Sequence, residues 1–223
     1  MICVSVAEPT VELCLVALKD LGFAEVRVDA MKVTMEDMKR IFSKPLTLIA
    51  TFMPVDPAVM PDNVVDTDTR KKYLIAAIEA GAKYVDIEVQ SESEYRKDII
   101  KKAKLKDCKV IISFHDFHST PEKEKLEEIA DLCFSEGADV AKIACRVNSE
   151  RDNLKLLGLL NNDDYQGRTV VIGMGKKGRI TRVAAPLLGS PFTFASLTRG
   201  KETAEGQIEK GALEQVMRLL TDE

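Results

Sequence analysis

Histidine is scarce in this sequence, and the cysteines lack the spacing of a metal site. The only two histidines are His115 and His118, so a metal site with several imidazole ligands would have to use both. The cysteines number five, which is odd, and none of them are in C-x-x-C spacing. This pattern fits reduced thiols in a cytosolic protein better than a disulfide framework or a zinc site.

The chain also lacks a long apolar run and an excess of basic residues. No stretch approaches the roughly 18 apolar residues that span a membrane, and the segment from Met1 to Val6 lacks the basic region of a signal peptide. The net charge of −4 gives no sign of the basic stripe that binds nucleic acid. We therefore expect a cytoplasmic protein that binds neither membranes nor nucleic acids.

Short β-rich runs alternate with longer amphipathic runs along all 223 residues. The predicted strands are Ile2–Glu8, Glu25–Met31, Leu46–Phe52, Tyr84–Gln90, Lys109–Phe117, Val140–Val147, Thr169–Met174 and Phe192–Leu197. Strict alternation of strands and helices is typical of a parallel sheet. Eight such units favour a fold of the α/β class, a (β/α)8 TIM barrel, as a single domain over residues 1–223. A doubly wound open sheet is the alternative.

Local signals predict where several helices begin and end. Ser91 is expected to cap the fourth helix, and the run from Ser119 to Pro121 to start the fifth helix with proline in its first turn. The third helix is expected to end at Gly81, and the last helix is predicted from about Glu205 to Leu220.

One lysine interrupts an otherwise apolar run. Lys142 lies in the predicted sixth strand, within DVAKIAC at residues 139–145, and burying an ammonium group without a partner is costly. Desolvation lowers the pKa of a lysine by favouring the neutral amine, which can form a Schiff base with a carbonyl compound. The alternative is a lysine near a strand end whose stem lies along apolar surface while its ammonium group reaches water.

Polar residues recur at every second position of several predicted strands, which places them on one face. They are Glu25, Arg27 and Asp29 on the second strand, Asp86 and Glu88 on the fourth, and Ser113 and His115 on the fifth. Each has a structural alternative, such as an outward ion pair between Glu25 and Arg27 or a buried structural His115. Their convergence at one end of a barrel, near Lys142, favours an active site.

A glycine-rich turn precedes the seventh helix. Gly173, Gly175 and Gly178 match G-x-G-x-x-G, but no acidic residue follows at the distance expected for a dinucleotide site. A tight turn opening onto a helix N-terminus, which suits an anion, is the favoured interpretation. Arg182 lies just inside that helix and is a candidate to bind a carboxylate or a phosphate, with a surface arginine as the alternative.

Together these residues resemble the type I 3-dehydroquinate dehydratase family over nearly the full length of the chain. The matching motifs, in chain order, are EVRVD at 25–29, DIE at 86–88, SFHDF at 113–117, DVAKIA at 139–144, MGKKG at 174–178 followed by Thr181 and Arg182, and TAEGQ at 203–207, which resembles the family's SAPGQ. The histidine and lysine motifs on successive strands are the specific part of this resemblance.

The resemblance implies a (β/α)8 barrel that forms a homodimer and dehydrates 3-dehydroquinate in the shikimate pathway, without a metal or an organic cofactor. It implies that Lys142 forms an imine with the substrate ketone, and that His115 acts as general base and general acid. Glu25 and Arg27 would hold substrate hydroxyls and Arg182 the carboxylate. Thr203 and Gln207 would close a lid loop.

The sequence departs from the family pattern in two places. After the third strand, Met53 stands where the family has arginine, and Pro57 where it has a glutamate that orients the catalytic histidine. Asp56 is close enough to substitute for that glutamate, and Asp86 or Glu88 could support His115 instead. In the lid, Glu205 replaces a proline, which is expected to loosen the loop.

Two other functions remain open from the sequence. One is a different Schiff-base barrel enzyme of the aldolase or transaldolase type, which the altered loop after the third strand leaves open. The other is a non-catalytic relative that binds a small carboxylate, although such a protein would need neither Lys142 nor His115.

Overall fold

A computed structural model describes residues 1–54 and 65–221 of the chain. Its strands are Ile2–Val6 (β1), Phe23–Arg27 (β2), Thr47–Thr51 (β3), Tyr84–Glu88 (β4), Lys109–Asp116 (β5), Val140–Arg146 (β6), Thr169–Met174 (β7) and Thr193–Ser196 (β8). Its α-helices are Val11–Leu18 (α1), Met35–Phe42 (α2), Thr67–Ala80 (α3), Ser93–Leu105 (α4), Lys123–Ser135 (α5), Glu150–Gly158 (α6), Arg179–Leu187 (α7) and Lys210–Thr221 (α8). Asp56 and Pro57 lie outside the described residues.

Strand order confirms the predicted fold class. In the sheet the strands follow one another in chain order from β1 to β7, and β8 lies next to β1. A helix follows each strand. This sequential order is that of a (β/α)8 barrel and differs from the reversal of strand order in a doubly wound open sheet.

Internal contacts group the chain into two compact units. We call Met1–Val6 with Ile111–Glu223 the first unit, and Ala7–Val110 the second unit. The organisation of residues 1–223 as a single domain stays a prediction.

In the second unit, β2, β3 and β4 form parallel pairs. Phe23 is the register partner of Thr47, and Ile49 that of Tyr84. The helices begin and end at residues suited to those positions. Asp66 accepts a hydrogen bond from the amide of Thr69 at the start of α3, and Gly81 (φ 112°) ends that helix in the left-handed conformation that glycine adopts most readily.

In the first unit, β8 pairs with β1, and β5, β6 and β7 pair in that order, all in parallel. Six of the seven residues of β6 and all residues of β7 and β8 are buried. Such runs occur because a parallel sheet is covered on both faces. Lys142, which is Cα partner to Ser113 on β5 and Val170 on β7, is therefore in the middle strand of three.

Several predicted helix starts are wrong by a few residues. Helix α4 begins at Ser93 with Glu92, not Ser91, as its N-cap residue. Helix α5 begins at Lys123, after Glu122 in extended conformation as its N-cap residue, so Pro121 lies before the helix and not in its first turn. Helix α8 begins only at Lys210, since the carboxylate of Glu209 accepts hydrogen bonds from the amides of the first helical turn.

Strand β2 is shorter than predicted. It ends at Arg27, and Asp29 lies in a 3-10 helix over Val28–Ala30. The side chain of Asp29 bonds both to Arg27 and to the backbone amide of Met53, which favours this turn over further extension of the strand. Asp29 thus does not share a strand face with Glu25 and Arg27.

Candidate active site

Lys142 lies on β6 in the first unit with only 6% of its surface exposed. We expected it near the carboxyl end of the strand, but it is the third of the seven residues. Its ammonium nitrogen lies 4.8 Å from the centroid of the Phe194 ring on β8. A ring face attracts a cation, and the attraction is stronger where water is excluded. The lysine is therefore buried, as the interpretation of a desolvated amine requires.

His115 is on the same face of the sheet as Lys142. Ser113 is the register partner of Lys142 on the neighbouring strand, and His115 lies two residues further along, so both side chains project from one face. Strand spacing and rise place the two Cα atoms about 8 Å apart. His115 is half-buried and stacks on the exposed ring of Phe117, with centroids 5.8 Å apart and planes 8° from parallel. A small molecule between the two residues could contact both.

Arg182 has the largest fully buried side chain among the residues 1–54 and 65–221, with 0% of its surface exposed. Its Nη1 donates a long hydrogen bond of 3.3 Å to the carbonyl of Phe194. Its Nε and Nη2 have no hydrogen-bond partner among the residues that the structure describes. Buried polar groups are nearly always paired, because an unmade hydrogen bond costs free energy. A guanidinium in this state is suited to a bidentate anion such as a carboxylate.

Burial affects the pKa of Arg182 but does not remove its charge at neutral pH. Desolvation, with a smaller contribution from the charge of Arg179, lowers the pKa of Arg182 from its ordinary value to about 10. The group therefore remains a cation at neutral pH. Arg182 is not a surface arginine, so the structural alternative for this residue is wrong.

The contact between Arg182 and Phe194 is on the edge of β8 that faces away from β1. The amide of Thr193 donates to the carbonyl of Met1 on the β1 side. Backbone groups of successive residues point to opposite edges of a strand, so the carbonyl of Phe194 points away from β1. Among the described residues no strand is hydrogen-bonded to β8 on that side, since β7 and β8 are the two ends of the strand order. Arg182, from α7, donates to the carbonyl of Phe194 there.

The glycine turn between β7 and α7 has the compact form predicted for it. A Cβ atom on Gly178 would lie 2.3 Å from the carbonyl carbon of Gly173, so only glycine permits this backbone approach. Thr181 supports the turn, since its hydroxyl accepts from the amide of Gly173 and donates to the carbonyl of Gly178. The turn fixes the start of the helix that carries Arg182.

Thr203 and Gln207 are joined to each other and to β1. The amide of Thr203 donates to Gln207 Oε1 at 2.7 Å. Gln207 Nε2 donates to the hydroxyl of Thr203 at 3.1 Å and to that of Ser5 at 3.2 Å. Gln207 is buried despite its position in a connecting segment. Residues 203–207, which we call the lid segment, are therefore an ordered part of the first unit.

Two residues that sequence reasoning did not assign join the lid segment to the lysine strand. Arg146, the last residue of β6, forms an ion pair with Glu205. The carbonyl of Glu205 also accepts a hydrogen bond of 3.0 Å from the amide of Gly175. These contacts run against the expectation that Glu205 loosens the loop. The sequence signal that could have identified Arg146 is the two-residue period of side chains along a strand. Arg146 lies four residues from Lys142 and therefore on the same strand face.

Glu25 and Arg27 belong to the second unit. Glu25 is 5% exposed and accepts a hydrogen bond of 3.0 Å from the hydroxyl of Thr51. Arg27 forms two hydrogen bonds with Asp29, of 2.9 and 2.6 Å. Burial alone would lower the pKa of Arg27, but the hydrogen bonds and charge of Asp29 outweigh it and raise the pKa. Glu25 is thus not part of an outward-facing pair.

Asp86 and Glu88 occupy the same face of β4 in the second unit and are both buried. Asp86 is the register partner of Thr51 on β3. Which carboxylate, if either, orients His115 stays a prediction. Within residues 1–54 and 65–221, no group of three or more His, Cys, Asp or Glu side chains could hold a metal ion. No helix in this part of the chain is long and apolar enough to span a membrane.

These features define the class of protein. Eight alternating strands and helices, with a buried lysine and a histidine on one strand face and a buried arginine on α7, are those of a (β/α)8 barrel enzyme. Comparison with known proteins then gives the family. The model of type I 3-dehydroquinase matches residues 2–223, and the chain belongs to this family. The resemblance found in the sequence is thereby confirmed.

Relatives and solved structures agree with this assignment. The chain is 37% identical to a 3-dehydroquinate dehydratase of Methanocaldococcus jannaschii, over 99% of both chains. It is 33% identical to that of Methanococcus vannielii, over 99% of this chain and 100% of the relative. A crystal structure of the type I enzyme from Clostridium difficile, with covalently modified comenic acid, aligns with a TM-score of 0.85 at 27% identity, over 98% of this chain and 91% of the other.

More distant structures share only the fold. A 3-hexulose-6-phosphate synthase aligns with a TM-score of 0.62 at 12% identity over 98% of both chains. At that identity the likeness carries no argument about activity. The alternative of an aldolase-type enzyme therefore gains no support from it.

Proposed function

We propose that the protein is a 3-dehydroquinate dehydratase, a hydro-lyase that converts 3-dehydroquinate to 3-dehydroshikimate in the shikimate pathway of aromatic amino acid biosynthesis. The match to the family over residues 2–223 is the observation that carries this proposal. The buried Lys142, the half-buried His115 and the unpaired nitrogens of Arg182 supply groups that the reaction requires.

The first step proposed is attack of the Lys142 amine on the substrate ketone, with loss of one water and formation of an iminium. The iminium withdraws electrons from the neighbouring carbon, and His115 removes a proton from that carbon. The resulting enamine expels the hydroxyl on the next carbon, which leaves as water after His115 returns the proton. Hydrolysis of the iminium frees Lys142, so the net change is the loss of one water. Covalent catalysis thus divides a difficult elimination into easier steps.

Substrate binding is assigned to the remaining residues. Arg182 would hold the carboxylate, because the nitrogens that lack partners among the described residues match a bidentate anion. Glu25 and Arg27 would hold hydroxyls, as the resemblance implies. Thr203 and Gln207 would close the lid segment over the substrate, supported by the hydrogen bond from Gln207 to Ser5. Assembly as a homodimer and a cytoplasmic location stay predictions.

Borohydride trapping tests this mechanism directly. Reduction in the presence of 3-dehydroquinate should convert the iminium to a stable amine, and peptide mass analysis should find the added mass on Lys142. Borohydride without substrate should leave the mass of that peptide unchanged. An adduct on another lysine, or turnover without any adduct, would contradict the assignment of Lys142.

Replacing His115 with alanine is expected to lower kcat by about 10² to 10⁴-fold, the usual contribution of a positioned acid–base group. Iminium formation should persist in this variant, so borohydride should still add mass to Lys142. His118→Ala is the matched control, because His118 is exposed and is the other histidine of the chain. An equal loss of kcat in both variants would remove the argument for His115.

A further inference from the structure

Among the described residues, contacts join the lid segment to β1, to the glycine turn and to the end of β6. Gln207 donates to Ser5 at the β1 end of the segment. The backbone of Glu205 and Gly206 lies directly on the glycine turn, since a Cβ atom on Gly206 would be 2.4 Å from the carbonyl oxygen of Gly175. The third attachment is the ion pair between Glu205 and Arg146. Of the three, only this one joins the lid segment to the strand of Lys142.

Arg146 contacts both the lid segment and the glycine turn. It is on the face of β6 that carries Lys142, two alternations further along the strand. Its guanidinium also packs against the turn, because a Cβ atom on Gly175 would lie 3.3 Å from Arg146 Cζ. Gly175 has a φ of 85°, which favours glycine and leaves room for this packing.

We propose that the Arg146–Glu205 ion pair is a latch that positions the lid segment, and that both are positioning residues for substrate retention. The inference rests on the proposed function, because Thr203 and Gln207 lie on either side of Glu205 in the segment that would cover the substrate. With the ion pair formed, the lid segment is attached to the lysine strand. With the pair broken, the backbone contacts at Gly175 and the bond to Ser5 remain.

The expected effect is modest and depends on salt. Side-chain exposure is 36% for Arg146 and 61% for Glu205, and an ion pair this exposed changes an equilibrium by about two- to fivefold. Screening by salt should weaken it further. A latch of this strength permits substrate entry and product release during turnover, because it can open readily.

Steady-state kinetics test the latch. Glu205→Gln and Arg146→Met are each expected to raise KM for 3-dehydroquinate about two- to fivefold without lowering kcat, since the reacting groups are untouched. The double variant should show no more than the effect of one single variant, because both remove the same interaction. Glu202→Gln and Arg151→Met are matched controls, since Glu202 is in the same connection and Arg151 is exposed on α6. Additive effects, or no change in either single variant, would overturn the proposal.

Limited proteolysis tests the latch without any substrate. Arg199 and Lys201 are exposed trypsin sites immediately before the lid segment. Cleavage there should be about two- to fivefold faster in Glu205→Gln than in the parent protein, and raising the salt concentration should increase the parent rate towards that of the variant. Equal rates at low salt would overturn the proposal. Because this measurement does not depend on turnover, it still tests the latch if the protein does not dehydrate 3-dehydroquinate.

Discussion

Replacing Lys142 with alanine is expected to reduce kcat for dehydration of 3-dehydroquinate by at least about 10⁴-fold. The variant has no amine to form the iminium, and removal of the covalent nucleophile costs on the order of 10⁶ in kcat in a well-studied enzyme. No other residue in the sixth strand carries an amine, so we expect no rescue from within the strand. The measurement is steady-state turnover, together with the loss of the borohydride adduct.

Lys109→Ala is a suitable control for Lys142→Ala. Lys109 is also a strand lysine whose ammonium nitrogen lies over an aromatic ring, 5.9 Å from the centroid of Tyr84, but it is exposed. Its removal should leave kcat unchanged. Lys142→Met should match Lys142→Ala in activity while keeping most of the buried volume, which separates lost chemistry from a cavity. Substantial turnover in Lys142→Met would refute the Schiff-base mechanism.

Replacing Arg182 with methionine is expected to lower kcat/KM by about 30- to 5,000-fold, mainly through KM. This range corresponds to about 2–5 kcal/mol for removing one partner of a buried, hydrogen-bonded charge pair. The pair here is the guanidinium and the substrate carboxylate. Arg179→Met is the matched control, because Arg179 is on the same helix but exposed, and it should change kcat/KM little.

Arg182→Met is expected to raise the unfolding temperature of the substrate-free protein while it lowers activity. In the absence of substrate, a buried cation with unpaired nitrogens destabilises the fold, so the variant should unfold at a higher temperature than the parent. Substrate should then stabilise the parent but not the variant, since only the parent pairs the carboxylate. A lower unfolding temperature for the variant would show that Arg182 stabilises the substrate-free fold.

The pH dependence follows from the lowered pKa of Arg182. In the folded protein burial lowers the pKa of the group to about 10, below its ordinary value, so the unfolded chain binds more protons between the two pKa values. The contribution of Arg182 to stability therefore rises with pH across that window. Carboxylate binding should weaken as pH passes about 10, because the guanidinium loses its charge. Arg182→Met should lack this dependence in a binding measurement such as isothermal titration calorimetry.

Sequence alone determined the eight strand–helix units and the anomaly at Lys142. Both are local signals: alternation of apolar residues reports which faces are buried, and a lysine in an apolar run requires an explanation wherever the strand lies. The glycine turn at residues 173–178 was likewise readable, because close backbone approach requires glycine at fixed spacing. These signals also sufficed for the resemblance to the family.

Tertiary structure decided which charges are paired and which are not. Asp29 lies outside strand β2 because Arg27 and the amide of Met53 both donate hydrogen bonds to its side chain. Arg146 and Glu205 are 59 residues apart in the chain and meet only where the lid segment passes the end of β6. Arg182 could be placed on a helix from sequence, but only the fold shows that it is buried and that its Nε and Nη2 have no partner among the described residues. Pairing is a property of neighbours in space, and the chain order does not specify them.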